Sequence, residues 1–94
     1  MSKYTVKPTS RFKKELRLAE KRGLDTSELN KVIKLLADGE TLPRENRDHE
    51  LSGNFKGYRE CHVQSDWLLI YKIKDDILVL SLERTGTHSD LFKK

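Results

Sequence analysis

The sequence predicts an α+β domain: an N-terminal strand, a two-helix hairpin, and an antiparallel meander forming a twisted sheet with the helices on one face. Three observations predict it. Leu29, Val32, Ile33, Leu36 and Ala37 recur at i, i+3, i+4, i+7 and i+8, one continuous helical stripe. Residues 57–84 hold three runs rich in aromatic and branched residues, separated by polar turns. A short alternating stretch precedes the first helix, with Tyr4 and Val6 on one side. With no repeat, low-complexity tract or linker, residues 1–94 read as a single domain large enough for one modest core.

Taken in order, residues 3–7 form the first strand and Pro8 ends it. Thr9 or Ser10 caps a helix in which Phe12, Leu16 and Ala19 keep helical spacing. Lys21 and Arg22 suit its last turn, and Gly23 the left-handed residue beyond it. Asp25 followed by Glu28 resembles a capping box opening the second helix, which Gly39 stops. The short link between the two makes an antiparallel hairpin. Residues 40–56 are a long polar connection with Pro43 and Gly53, inside which residues 48–51 predict a short strand.

The meander strands fall at 57–63, 67–74 and 77–84, with turns at Gln64-Ser65 and Asp75-Asp76. Two-residue turns would pair Val63 with Asp66 and Lys74 with Ile77. Tyr58, Glu60, His62, Trp67, Leu69, Tyr71 and Arg84 would then share one face, and Cys61, Val63, Leu68, Ile70 and Val79 the other. Both faces are partly apolar, so alternation alone does not decide which one the helices cover. One extra turn residue would reverse part of the assignment. After Gly86-Thr87-His88-Ser89, Asp90-Leu91-Phe92 predicts one helical turn.

Composition narrows the function classes. Charged residues are 36% of the chain and hydrophobic ones 35%, which suits a wet surface around a small core. Nothing approaches the ~20 apolar residues of a membrane span, and Met-Ser-Lys-Tyr-Thr-Val lacks the apolar centre of a signal peptide. Cys61 is alone, so an intramolecular disulfide is excluded and a reducing compartment fits. A cytoplasmic protein is expected. The net charge of +4 sits in residues 1–48, which carry 12 Lys/Arg against 8 Asp/Glu, while the remainder balances. Lys13, Lys14, Arg17, Lys21, Lys31 and Lys34 on the helices supply most of it, reading either as a solvated face or as a surface for a polyanion or acidic protein.

The chemistry concentrates between Asp48 and Trp67, which hold two of three histidines, two of five glycines, and the single cysteine and tryptophan. His88 follows in T-G-T-H-S. Imidazole exchanges protons near neutral pH, so His49, His62 and His88 beside acids and aromatics make a candidate proton-transfer site. Asp66 would fix one imidazole's tautomer or favour its charged form. Arg84, with Arg59 or Lys56, offers donors to phosphate oxygens. Trp67 and Phe92 offer stacking surfaces. The plain alternatives are surface or core histidines and a core tryptophan. A zinc site of His49, His62, His88 and Asp66 is chemically open, but the spacing matches no compact metal motif.

Two blocks, D-H-E-L-S-G-N-F-K-G-Y-R-E-C-H-V-Q-S-D-W-L-L-I-Y and L-E-R-T-G-T-H-S-D-L-F, together with the element order, carry a family resemblance. The chain resembles the RelE/ParE superfamily of bacterial toxins, and within it the YafQ-like branch, over essentially its whole length. That resemblance implies a ribosome-dependent endoribonuclease acting on mRNA and silenced by a cognate antitoxin; acid–base chemistry by the histidines needs no metal, and no cofactor is expected. It implies catalytic roles for His49, His62, Asp66 and His88, with Trp67 and Phe92 lining the site. Glu60 stands where some members have Asp, a departure from the pattern. A gyrase-directed toxin of ParE type, acting by protein contact alone, is the alternative, and it has no use for several proton carriers in one cleft.

Overall fold

The computed structural model describes residues 2–92. Its elements are β1 (Thr5–Pro8), α1 (Ser10–Lys21), α2 (Thr26–Ala37), β2 (His49–Glu50), β3 (Arg59–Gln64), β4 (Trp67–Lys74), β5 (Val79–Gly86) and α3 (His88–Leu91). The five strands form one sheet in the order β1-β5-β4-β3-β2. β1 runs parallel to β5, and the other neighbours pair antiparallel. Among the described residues no helix is long and apolar enough to cross a membrane.

Local chemistry explains the ends of the elements. Thr9 caps α1, its hydroxyl accepting from the Phe12 amide at 3.1 Å. Its own amide reaches the Leu82 carbonyl at 3.0 Å, so the cap also ties α1 to β5. Losing such a cap costs about 1 kcal/mol. Gly23 follows α1 with φ 79°, as the left-handed position requires. Asp25 caps α2 by accepting from the Ser27 amide at 3.0 Å and its hydroxyl at 2.6 Å. The reciprocal half of the expected capping box is not formed: Glu28 faces Lys31 at 3.5 Å instead.

The long connection is ordered as two 3₁₀ turns, Arg44–Asn46 and Gly53–Phe55, flanking the two residues of β2. Buried Leu42 and an Asn46 side-chain hydrogen bond to the His62 carbonyl, 2.7 Å, hold it against the sheet.

Strand register departs from the expected pairing in both hairpins. Gln64 pairs with Trp67 across Ser65-Asp66, and a bulge between His62 and Gln64 then sets His62 opposite Leu68 and Cys61 opposite Leu69. That is a one-residue slip from the expected pairing, and a one-residue slip exchanges faces. The second turn is longer: Lys74 pairs with Val79, with Leu78 left-handed at φ 52°. A further bulge after Leu82 sets Arg84 opposite Ile70 and not opposite Trp67.

The face beneath α1 and α2 therefore carries Cys61, Val63, Trp67, Leu69, Tyr71, Leu80 and Leu82, packed against Phe12, Leu29, Val32 and Leu36. The opposite face carries Leu68 and Ile70, covered in part by Leu91, Leu51, Tyr58 and Phe92. Tyr58, Glu60 and His62 do share a side, as alternation predicted, but with Leu68 and Ile70 as neighbours. Cys61 and Val63 take the helix side. Trp67 is 2% exposed, and its indole N–H donates to Thr85 Oγ1 at 2.8 Å. That N–H is satisfied internally, so Trp67 is core and presents no stacking surface.

Candidate active site

Three segments meet on the face away from the helices. His62 lies on β3, next to the bulge. Asp66 occupies the β3–β4 turn, and His88 opens α3 directly after β5. α3 has only four residues, too few to be stable alone, and two devices fix it. Thr87 and Asp90 form a reciprocal capping box. Asp90 also accepts from Arg22 at 2.8 Å, pinning α3 to the end of α1. The guanidinium of Arg22 holds the Asp90 carboxyl down at about 2, helped by the Thr87 amide.

His88 is oriented by Asp66. One Asp66 oxygen accepts from the His88 backbone amide at 3.2 Å and faces Nδ1 at 3.0 Å. These two contacts, the side-chain one foremost, hold the Asp66 carboxyl below its ordinary range, so it is ionised at neutral pH. A carboxylate only accepts, so Nδ1 carries hydrogen and Nε2 is the nitrogen left for chemistry. The His62 and His88 rings lie 5.8 Å apart between centroids.

His49 enters from β2, opposite Glu60. Its Nδ1 meets the Arg47 carbonyl at 2.7 Å, which requires a hydrogen on Nδ1. Its Nε2 sits 3.4 Å from Glu60 Oε1, a contact that is favourable when the pair holds one further proton. Glu60 is 4% exposed, and its Oε2 is buried without a hydrogen-bond partner among the described residues. An orphaned buried carboxylate oxygen costs free energy and is expected only where something else completes it. Alternation placed Glu60 beside His62, but charge on a strand gives no sign of burial, so its position in the site was not legible.

A donor oxygen of Glu60 and one ring nitrogen each of His62 and His88 lie within 4.8 Å of one another. Two imidazoles and a carboxylate are a fitting donor set for a divalent transition ion. This set differs from the one read from sequence: Asp66 is engaged by His88, and His49 stands behind Glu60.

Of the expected binding residues, Phe92 is at the site, its ring 6.2 Å from that of His88 and 5.3 Å from that of Phe55. Arg84 reaches the same side of the sheet but is clamped by Glu15 at 2.6 Å, and Glu15 also accepts from the Thr85 amide. Arg59 does not join them. Its register partner is Tyr71, on the helix face, and Asp48 accepts from both Arg59 and the Tyr71 hydroxyl. Lys56 is exposed and lies near Arg59, away from the histidines. Cys61 is fully buried and its thiol is pushed up to about 12 by desolvation, which removes it as a nucleophile.

Comparison with known proteins bears on the family and the fold. Residues 4–93 match the family model described as a bacterial toxin of type II toxin–antitoxin system, YafQ. The mRNA interferase toxin YafQ of Escherichia coli strain K12 is 42% identical over 88 residues, covering 93% of this chain and 94% of the relative. The E. coli DinJ-YafQ toxin-antitoxin complex superposes with a TM-score of 0.87 at 41% identity, over 96% of this chain and 98% of that one. A metal-bound toxin from Helicobacter pylori gives a TM-score of 0.89 at 40% identity, over 95% and 99%.

Proposed function

The chain belongs to the YafQ family of bacterial type II toxins, and from that premise we propose that it is an endoribonuclease, an mRNA interferase acting in the cytoplasm on mRNA held by the translating ribosome. The observation that carries the mechanism is the pair of imidazoles, His62 and His88, set 5.8 Å apart with Asp66 orienting one of them.

Cleavage by internal transfer needs three services. A base takes the proton from the 2′-hydroxyl, whose oxygen attacks the adjacent phosphorus. An acid protonates the departing 5′ oxygen, and donors stabilise the charge between them. His62 and His88 supply base and acid, each worth ~10²–10⁴-fold. The free Nε2 of His88 faces the reaction while Asp66 holds Nδ1–H. The His49–Glu60 pair stands behind them, with Glu60 Oε2 buried and unpartnered among the described residues. Arg84 contributes positive field tempered by Glu15. Phe92 stacks a flanking base. The products are a 5′-hydroxyl end and a 2′,3′-cyclic phosphate.

The partner is a cognate antitoxin, as DinJ is for the E. coli relative. Exposed Lys13, Lys14 and Arg17 on α1 and Lys31 on α2 favour an acidic segment.

A metal at Glu60, His62 and His88 is a second reading, favoured by the convergence of those donors. Such an ion would supply Lewis-acid stabilisation of phosphate charge. His62 and His88 would then act as ligands and be lost to proton transfer. One experiment separates the two. Wild-type protein is incubated with translating ribosomes in excess of a chelator selective for transition ions, with Mg²⁺ kept free, and new RNA ends are mapped. Cutting that persists and leaves 5′-hydroxyl ends supports acid–base chemistry. Cutting abolished by chelator and restored by a divalent ion overturns it, and no cutting under either condition overturns the ribonuclease reading.

A further inference from the structure

A cavity of about 340 Å³ opens beside the site, within the size range of small-ligand pockets. It has a buried apolar residue, Ile70, among its walls, together with Phe55, Tyr58, Asn54, Arg11 and Arg84. None of these except Arg84 is used by the chemistry above. An unbroken series of rings leads to it from the histidines. His62 to His88 is 5.8 Å, His88 to Phe92 6.2 Å, Phe92 to Phe55 5.3 Å and Phe55 to Tyr58 6.5 Å between centroids. Phe55 meets Phe92 and Tyr58 edge-to-face, at 77° and 74°, so the rings form a continuous aromatic wall, and bases of a single strand stack on aromatics irrespective of sequence.

The charge around the cavity selects what enters it. Arg84 is neutralised by Glu15, and Glu83 lines the wall with an acid of its own, so a phosphate gains little inside. A flat, uncharged, hydrogen-bonding group suits it better. Asn54 is exposed, and its side chain makes no hydrogen bond within the described residues, leaving a donor and an acceptor for a base edge. Arg11 is exposed without an acidic partner among the described residues, placed to meet a backbone phosphate.

We propose that this cavity is a nucleobase subsite, taking the base next along the strand from the one stacked on Phe92, with Phe55 and Tyr58 as its wall and Asn54 reading the base edge. The assignment rests on the ribonuclease reading and adds to it where specificity is set.

The test uses short RNAs of differing base sequence, 2′-O-methylated so that no nucleophile is present, titrated into the wild-type toxin and followed by amide NMR. The expected result is movement at Asn54, Phe55 and Tyr58, with Asn54→Ala and Phe55→Leu each weakening binding at least about fivefold. With translating ribosomes, Asn54→Ala should flatten the base preference at one fixed offset from the cut. Asn54 and Arg11 are exposed, so their variants keep the fold, which circular dichroism checks. Shifts confined to the histidines, or variant affinities within twofold of wild type, overturn the subsite. Loss of antitoxin binding in Asn54→Ala and Arg11→Ala with RNA binding unchanged also overturns it, making the cavity a protein contact. A wild type that fills the cavity with RNA but cuts nothing supports the subsite while removing the ribonuclease reading.

Discussion

Replacing His88 with Gln and Asp66 with Asn should give unequal losses, and the ratio tests how the pair works. In the proposed mechanism His88 is one acid–base partner, so His88→Gln should lower the single-turnover cleavage rate by at least ~10²-fold. Asp66 acts through His88. Their side chains are 55% and 63% exposed at a separation of 3.0 Å. An ion pair that wet is screened and is worth about two- to fivefold in an equilibrium constant. Asn also keeps an acceptor oxygen for Nδ1–H and the His88 amide, so Asp66→Asn should cost only about two- to fivefold. The pH dependence follows with its sign. The Asp66 carboxyl is lowered in the folded protein, so its pairing is intact above the ordinary carboxylate range and is lost only as pH falls below it. A fall in cleavage above the carboxylate range therefore does not come from Asp66, and it should persist in Asp66→Asn. His88→Gln should remove one limb of a bell-shaped profile. Equal losses in both variants would refute the orienting role, and near-wild-type rates in His88→Gln, with the fold intact by circular dichroism, would reject His88 as catalyst.

Three further outcomes are expected. Trp67→Ala should destabilise the fold by about 3–5 kcal/mol in urea unfolding, whereas Trp67→Phe should leave the positions of RNA cutting unchanged, because the indole points into the core. Asp90→Asn should cost about 1 kcal/mol through the lost cap and Arg22 pair. With its folded value near 2, that stabilisation is complete above the ordinary value of 3.8 and fades as pH falls toward 2, so wild type and variant should converge in acid. Cys61 should resist alkylation in the native protein at pH 8 and react on unfolding, since burial keeps the thiol protonated.

The fold was legible wherever periodicity is a local property. The α2 stripe, the extent of β4 and the caps Thr9 and Asp25 needed only neighbours in sequence. Register was not legible, because it rests on bulges that leave no compositional mark. Val63 is an ordinary strand residue, yet as the extra residue of its bulge it decides that His62 faces Leu68 instead of Trp67. β1 was expected as a strand, but its parallel pairing with β5 depends on the whole intervening chain. The same limit governs the site. Histidines are conspicuous by type, and His62 and His88 do meet. The neutralisation of Arg59 by Asp48 and of Arg84 by Glu15, partners 11 and 69 residues away, is invisible to spacing.

Those distant pairings carry a consequence for how the site works. With Arg84 clamped by Glu15 and Arg59 by Asp48 on the other face, neither guanidinium is free beside the imidazoles. Charge at the site then depends on protonation in a way that a permanent guanidinium would not allow. The buried Glu60 reinforces this, because one of its carboxylate oxygens lies within 4.8 Å of a ring nitrogen on each of His62 and His88. A face that gathers its positive charge by binding protons is electrostatically quiet when they leave. Binding of RNA at the histidines should therefore weaken with rising pH, whereas stacking along Phe92 and Phe55 should not.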